Sequence, residues 1–151
     1  MKNRTLFMVL ALLGAPGYVL AAGPDLAASE YNFAVNELSK ASFNQAAIIG
    51  QYGGSNTADV NQKGYRQLAE VSQNGNSNRA NVDQSGSYNL AYISQQGSAN
   101  DADIKQTNSG NAAFIIQKGS GNRASIVQNG TQKTAVVVQK QSQMAVRVIQ
   151  R

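Results

Sequence analysis

The chain has 151 residues, a formal net charge of +5, no histidine and no cysteine. A disulfide scaffold is therefore excluded, and a metal site would need carboxylates alone, which are scattered here. The excess of basic residues is modest and not interleaved with aromatics, so neither nucleic acid nor a cofactor is expected as a partner.

Lys2 and Arg4 precede a short apolar run over 6–13, which Pro16 and Gly17 break before small residues at 21 and 22. Residues 1–21 read as a secretory signal peptide, too short to span a bilayer and expected to lie outside the fold. Residues 22–44 match nothing that follows, and the sequence leaves open whether they cap the fold or act as an export signal.

From Gln45 the same eleven-residue unit recurs ten times. Position one carries an amide (Gln45, Asn56, Gln67, Asn78, Asn89, Asn100, Asn111, Asn122), then Lys133 and Met144. Position three is alanine from Ala47 to Ala135, then Val146. Position five is isoleucine or valine throughout, from Ile49 to Val148. Position seven is glutamine without exception: Gln51, Gln62, Gln73, Gln84, Gln95, Gln106, Gln117, Gln128, Gln139 and Gln150. Position nine is glycine at Gly53, Gly64, Gly75, Gly86, Gly97, Gly119 and Gly130, with Asn108 and Gln141 as the exceptions. Columns spaced by two share one side of a β-strand. The glycine marks a turn that needs a positive φ. Each unit is thus a strand of about seven residues and a short turn.

Odd units carry apolar residues at positions two, four and six, such as Leu90, Tyr92, Phe114 and Val136. Even units carry polar ones, such as Arg79, Asp101, Asp103 and Arg123. The true repeat is a pair of units. The predicted fold is all-β: a β-solenoid of five 22-residue coils over 45–151 (45–66, 67–88, 89–110, 111–132 and 133–151). Each coil is strand–turn–strand–turn, and the coils build two facing parallel sheets of cross-β, amyloid-like character. Inside, the ten glutamines and the asparagines Asn56, Asn78, Asn89, Asn100, Asn111 and Asn122 would stack as amide ladders, without which their burial would be prohibitive. Asp101 falls between Arg79 and Arg123, and Asp83 meets Lys105, pairings that favour the intended order of coils.

An enzyme is not expected. Asp59 and Asp103 share an outward column two coils apart, with no loop to form a cleft between them. A ligand- or ice-binding solenoid is the remote rival, but its flat threonine array is absent.

These columns, with the start Ser29-Glu30-Tyr31-Asn32-Phe33-Ala34 and the glycine-poor stretch 141–151, resemble the curli family of bacterial extracellular amyloid subunits. Within it they resemble the minor-subunit, nucleating branch. The resemblance covers 45–151. It implies a chain exported through the curli secretion pore and held at the outer cell surface with a surface accessory protein. There it would template the curli major subunit into adhesive biofilm fibres. The alternative within the family is a bulk fibre subunit. An uncapped solenoid end, expected at Gln150 and Arg151, would supply unpaired main-chain groups for such templating and for self-association. The fifth coil, with Lys133, Lys140, Arg147 and Arg151 and the outward Val136 and Val138, is the candidate anchoring and nucleation coil.

Overall fold

The computed structural model describes residues 6–11 and 44–151. Most of the segment 22–44, expected to be a cap or an export signal, lies outside the described residues, as does much of the expected leader.

The described residues form eleven strands: β1 Leu6–Ala11, β2 Gln45–Gly54, β3 Thr57–Tyr65, β4 Gln67–Asn76, β5 Arg79–Ser87, β6 Leu90–Ser98, β7 Asp101–Gln106, β8 Ala112–Ser120, β9 Arg123–Gln128, β10 Thr134–Gln139 and β11 Ala145–Gln150. Sheet order is β1-β2-β4-β6-β8-β10 on one side and β11-β9-β7-β5-β3 on the other. Odd and even units therefore separate into two sheets, and each strand pairs in parallel with its equivalent one coil away. The register is that of the repeat without slippage: Gln73 pairs with Gln95, Ala102 with Ala124, Val137 with Ile115. A slip of one residue would turn every inward side chain outward, so the column pattern itself holds the register.

Between the sheets lies a core two layers deep. Ala69, Ala80, Ala91, Ala102 and Ala113 are buried, as are Val71, Val82, Ile93, Ile104, Ile115 and Ile126. The small residue at position three and the branched one at position five let the facing sheets interdigitate.

The corners are tighter than a single glycine turn. Position nine takes a positive φ at six of the seven sequence-marked glycines, for example 133° at Gly64, and at Asn108 with 73°. Gly130 is the exception and has no left-handed φ. A second left-handed residue recurs at position eleven: Ser55, Arg66, Ser77, Tyr88, Ala99, Gly110, Gly121, Gln132 and Gln143. The repeat pattern hid it because that column has no consistent residue type. Strands β2 to β6 run through the glycine and reach 9 or 10 residues, longer than expected, whereas β10 and β11 have only 6.

β1 pairs antiparallel with β2, from Leu6↔Tyr52 to Ala11↔Ala47. The sequence placed this segment in a leader outside the fold. Here it occupies the outer edge of the first coil, where β2 would otherwise show an unpaired row of main-chain groups.

Candidate functional site

The inward amides form continuous hydrogen-bonded columns. In the odd sheet Gln51 Nε2 donates to Gln73 Oε1 at 2.7 Å, and the chain continues through Gln95 and Gln117 to Gln139. In the even sheet Gln62 donates to Gln84, then Gln106, Gln128 and Gln150, each step 2.8 Å. The second N–H of each buried amide crosses to the other sheet. Gln84 Nε2 donates to Leu68 O, Gln95 Nε2 to Arg79 O and Gln106 Nε2 to Leu90 O. Those carbonyls decide which amide atom is nitrogen, so every glutamine column points the same way: donors towards coil five, acceptors towards coil one.

The asparagines run in the opposite sense. Asn78 N–H donates to Asn56 Oδ1, Asn100 N–H to Asn78 Oδ1, Asn111 N–H to Asn89 Oδ1 and Asn122 N–H to Asn100 Oδ1, at 3.0 to 3.2 Å. Their Nδ2 groups hold the corners, as Asn89 does on Ser85 O and Asn108 O. At coil five the backbone N–H groups of Lys133 and Met144 still donate to Asn111 and Asn122 Oδ1. Their side chains bring no carboxamide oxygen for a further coil. Among the described residues Gln67 is the one buried misfit: its Nε2 reaches Lys63 O and Gly86 O, but its Oε1 has no partner.

Position nine is under severe steric restriction. A Cβ on Gly75 would lie 1.8 Å from Gly97 O, and one on Gly53 would lie 1.9 Å from Gly75 O. At Gly53, Gly64, Gly75, Gly86 and Gly97 the next coil's carbonyl oxygen lies no more than 2.0 Å from that Cβ position, whereas the sixth unit carries the side chain of Asn108 there. Gly130 is different: its nearest neighbour would be the flexible Lys133 Cε at 2.8 Å.

The outer faces differ in character. The odd face carries the column Ile48, Glu70, Tyr92, Phe114, Val136. Glu70 is set between Ile48 and Tyr92, and burial pushes its carboxyl up to about 7. Tyr92 and Phe114 stack at 6.3 Å. The even face carries the column Arg79, Asp101, Arg123 and, beside it, a hydrogen-bonded one. There Asp103 accepts from Asn81 Nδ2 at 2.7 Å and from Ser125 Oγ at 3.2 Å. Asp59 and Asp103 are separated by Asn81 in that column.

At coil five Val136 is 59% exposed and Val138 48%, and Lys140, Arg147 and Arg151 are exposed, while Lys133 turns partly inward over Gly130. Sequence reasoning did not anticipate the corner cluster in which Arg66 lies 5.4 Å from the Tyr65 ring and 5.7 Å from the Tyr88 ring. Arg66 and Tyr88 share position eleven one coil apart, with Tyr65 just before Arg66, but that column has no consistent residue type and so did not reveal them.

The described residues hold no cluster of three or more acids able to bind a metal ion. Chemically, the arrangement is a periodic main-chain edge with amide-lined ends, suited to strand addition.

The curlin associated repeat matches residues 55–86, 75–107 and 97–130. The Minor curlin subunit of Escherichia coli (strain K12) is 70% identical over 64 residues, and that of Salmonella typhimurium is 69% identical over 64 residues. Each alignment covers 42% of this chain and 42% of the relative, so the similarity spans about two fifths of the curated proteins. The repeat matches, taken together, span half of the chain and coincide with the stacked coils: the chain belongs to the family of the curlin associated repeat.

Proposed function

We propose that this protein is a surface-held nucleator: it templates the curli major subunit into extracellular amyloid fibres of the biofilm matrix. The observation that supports this best is the in-register parallel stack, whose edges offer main-chain groups and amide columns to an incoming strand. Forming the first rung of a fibre costs conformational entropy before any ladder rewards it. A preformed rung removes part of that cost, so the lag shortens with no catalytic group. The similarity to the Minor curlin subunits agrees with this role.

Export through the curli secretion pore, retention at the outer cell surface by an accessory protein, and attachment through coil five complete the reading. The deciding experiment is seeded polymerisation of the major subunit followed by thioflavin fluorescence. A nucleator at substoichiometric dose abolishes the lag. A bulk fibre subunit changes the final yield in proportion to dose and leaves the lag in place, which would overturn the proposal.

A further inference from the structure

We propose that Asn129–Gly130 is a self-modifying site. In the folded protein its asparagine converts spontaneously to aspartate or to the β-linked isomer, and so brings a negative charge into two coils that carry no acidic side chain.

The tripeptide Gln-Asn-Gly occurs twice, at 73–75 and at 128–130. Asparagine is a thermolabile residue, and a following glycine puts no Cβ in the way of its own main-chain nitrogen. The Gly130 nitrogen attacks Asn129 Cγ. An N–Cγ bond forms, the Cγ–Nδ2 bond breaks, and Nδ2 takes up the proton of the attacking N–H and leaves as ammonia. Water then opens the five-membered imide at one of its two carbonyls. One opening gives aspartate, the other the β-linked isomer.

Local sequence treats the two sites alike, and both asparagines are exposed to water. The main chain separates them. Asn74 and Gly75 lie inside β4, where Asn74 pairs with Tyr52 and Gln96, and Gly75 with Gly53 and Gly97. Turning the Gly75 nitrogen towards Asn74 Cγ would break ladders to two coils at once. β9 instead ends at Gln128. Among the described residues the Gly130 N–H enters no main-chain hydrogen bond, and Gly130 has no left-handed φ. Opposite changes in ψ at Asn129 and φ at Gly130 turn the peptide plane between them and leave its neighbours in place. The bond this turn breaks, from Asn108 Nδ2 to Asn129 O at 2.8 Å, is exposed. The rest of Asn129 is held. Its N–H donates to Gln150 O at 2.9 Å, and Thr107 Oγ1 donates to its Oδ1 at 3.2 Å. A hydroxyl on that oxygen draws charge from Cγ and favours the attack.

The site has consequences for the last two coils. Residues 111–151 contain Lys118, Arg123, Lys133, Lys140, Arg147 and Arg151 and no aspartate or glutamate. Either product is negatively charged, and it arises beside Lys133, whose side chain lies over Gly130. The β-linked product also lengthens the main chain by one methylene between β9 and β10. Given the reading of coil five as the attachment coil, conversion weakens the hold on the cell surface as the protein ages.

The test incubates the full folded chain in mildly alkaline buffer, digests it with trypsin and weighs the peptides. The two sites separate cleanly, into residues 67–79 and 124–133. Deamidation of 124–133 is expected to run more than about tenfold faster than that of 67–79 in the folded protein, and at a similar rate in guanidinium chloride. Equal rates in the folded protein, faster loss at Asn74, or no loss at Asn129 while the unfolded chain converts would each overturn the proposal. Gly130→Ala, whose methyl group only the side chain of Lys133 opposes, is expected to slow the loss at Asn129 by about tenfold or more. An unchanged rate in that variant would rule out attack by the main-chain nitrogen. Added back to cells, aged wild type is expected to be retained less than fresh wild type, and aged Gly130→Ala as well as fresh. Equal retention of fresh and aged wild type would overturn the loss of hold. Failure of fresh protein to bind cells would sink the attachment reading instead, and the peptides alone would then decide the modification site.

Discussion

Gln67 and Asn89 occupy the same inward column one coil apart, and the side-chain oxygen of Gln67 is buried there without a partner. Asn89 itself offers its Oδ1 to the N–H of Asn111 at 3.1 Å. The extra methylene of Gln67 carries its oxygen past the point where the corresponding bond forms. Gln67→Asn shortens the side chain to the length used by its neighbours. It is expected to raise stability by about 1 kcal/mol, read as a higher urea midpoint at unchanged slope. A lower midpoint would show that the Nε2 contacts of Gln67 matter more than its oxygen.

Gln106 sits at the centre of the even column, accepting from Gln84 and donating to Gln128 and to Leu90 O. Gln106→Ala leaves Gln128 Oε1 without its donor and one N–H of Gln84 without its acceptor, and opens a cavity. A loss of about 3 kcal/mol or more is expected from those unpaired groups, measured by denaturant titration. A loss below about 1 kcal/mol would mean that the ladder contributes little beyond burial of hydrocarbon.

The corner glycines separate by position. Gly75→Ala places a methyl group against Gly97 O and a side chain at φ 127°, so coils two and three should fail to pair. Loss of the far-UV β signal is the expected readout. Gly130→Ala has neither problem, since Lys133 can move aside, and should cost less than about 1 kcal/mol.

Glu70 supplies a pH dependence. Burial raises its folded-state pKa to about 7, above the ordinary carboxyl value. The folded state then holds a proton that the unfolded chain releases at lower pH. The contribution to stability is fully present below the ordinary value, falls as pH rises and is lost once pH passes about 7. Glu70→Gln should flatten the change in denaturation midpoint between pH 5 and pH 8 and raise the midpoint at pH 8. An unchanged profile would place the titration elsewhere.

Coil five tests the attachment reading. Replacing Lys133, Lys140, Arg147 and Arg151 together by glutamine should release the protein from the cell surface while its β signal persists. Immunoblots of cells and medium decide this, and full retention on cells would discard the cationic role.

The solenoid was legible because its columns are nearly invariant. Glutamine at ten successive sevenths, with alanine and a β-branched residue at three and five, permits one strand register and one inward face. The inner rungs are visible in the sequence for the same reason. Three features were not. The left-handed position eleven is shared by Ser, Arg, Tyr, Ala, Gly and Gln, so composition could not mark it. The Arg66–Tyr65–Tyr88 cluster joins residues of two coils at a corner, at the variable position eleven and its neighbour, where no residue type recurs to mark it. Gly130 kept the expected residue but not the expected backbone. Its neighbour below is Asn108, whose Nδ2 donates to Asn129 O and whose Cβ occupies the space that a glycine would leave open.

The hydrogen bonds that recur between residues twenty-two apart also limit how such a gene can change length. Dropping one codon from an inner strand would send its alanine and isoleucine into water and bring arginine or aspartate between the sheets. Gain or loss of a whole circuit leaves every remaining rung in place. Relatives are thus free to differ in height by complete turns, while point deletions within a turn are removed by selection.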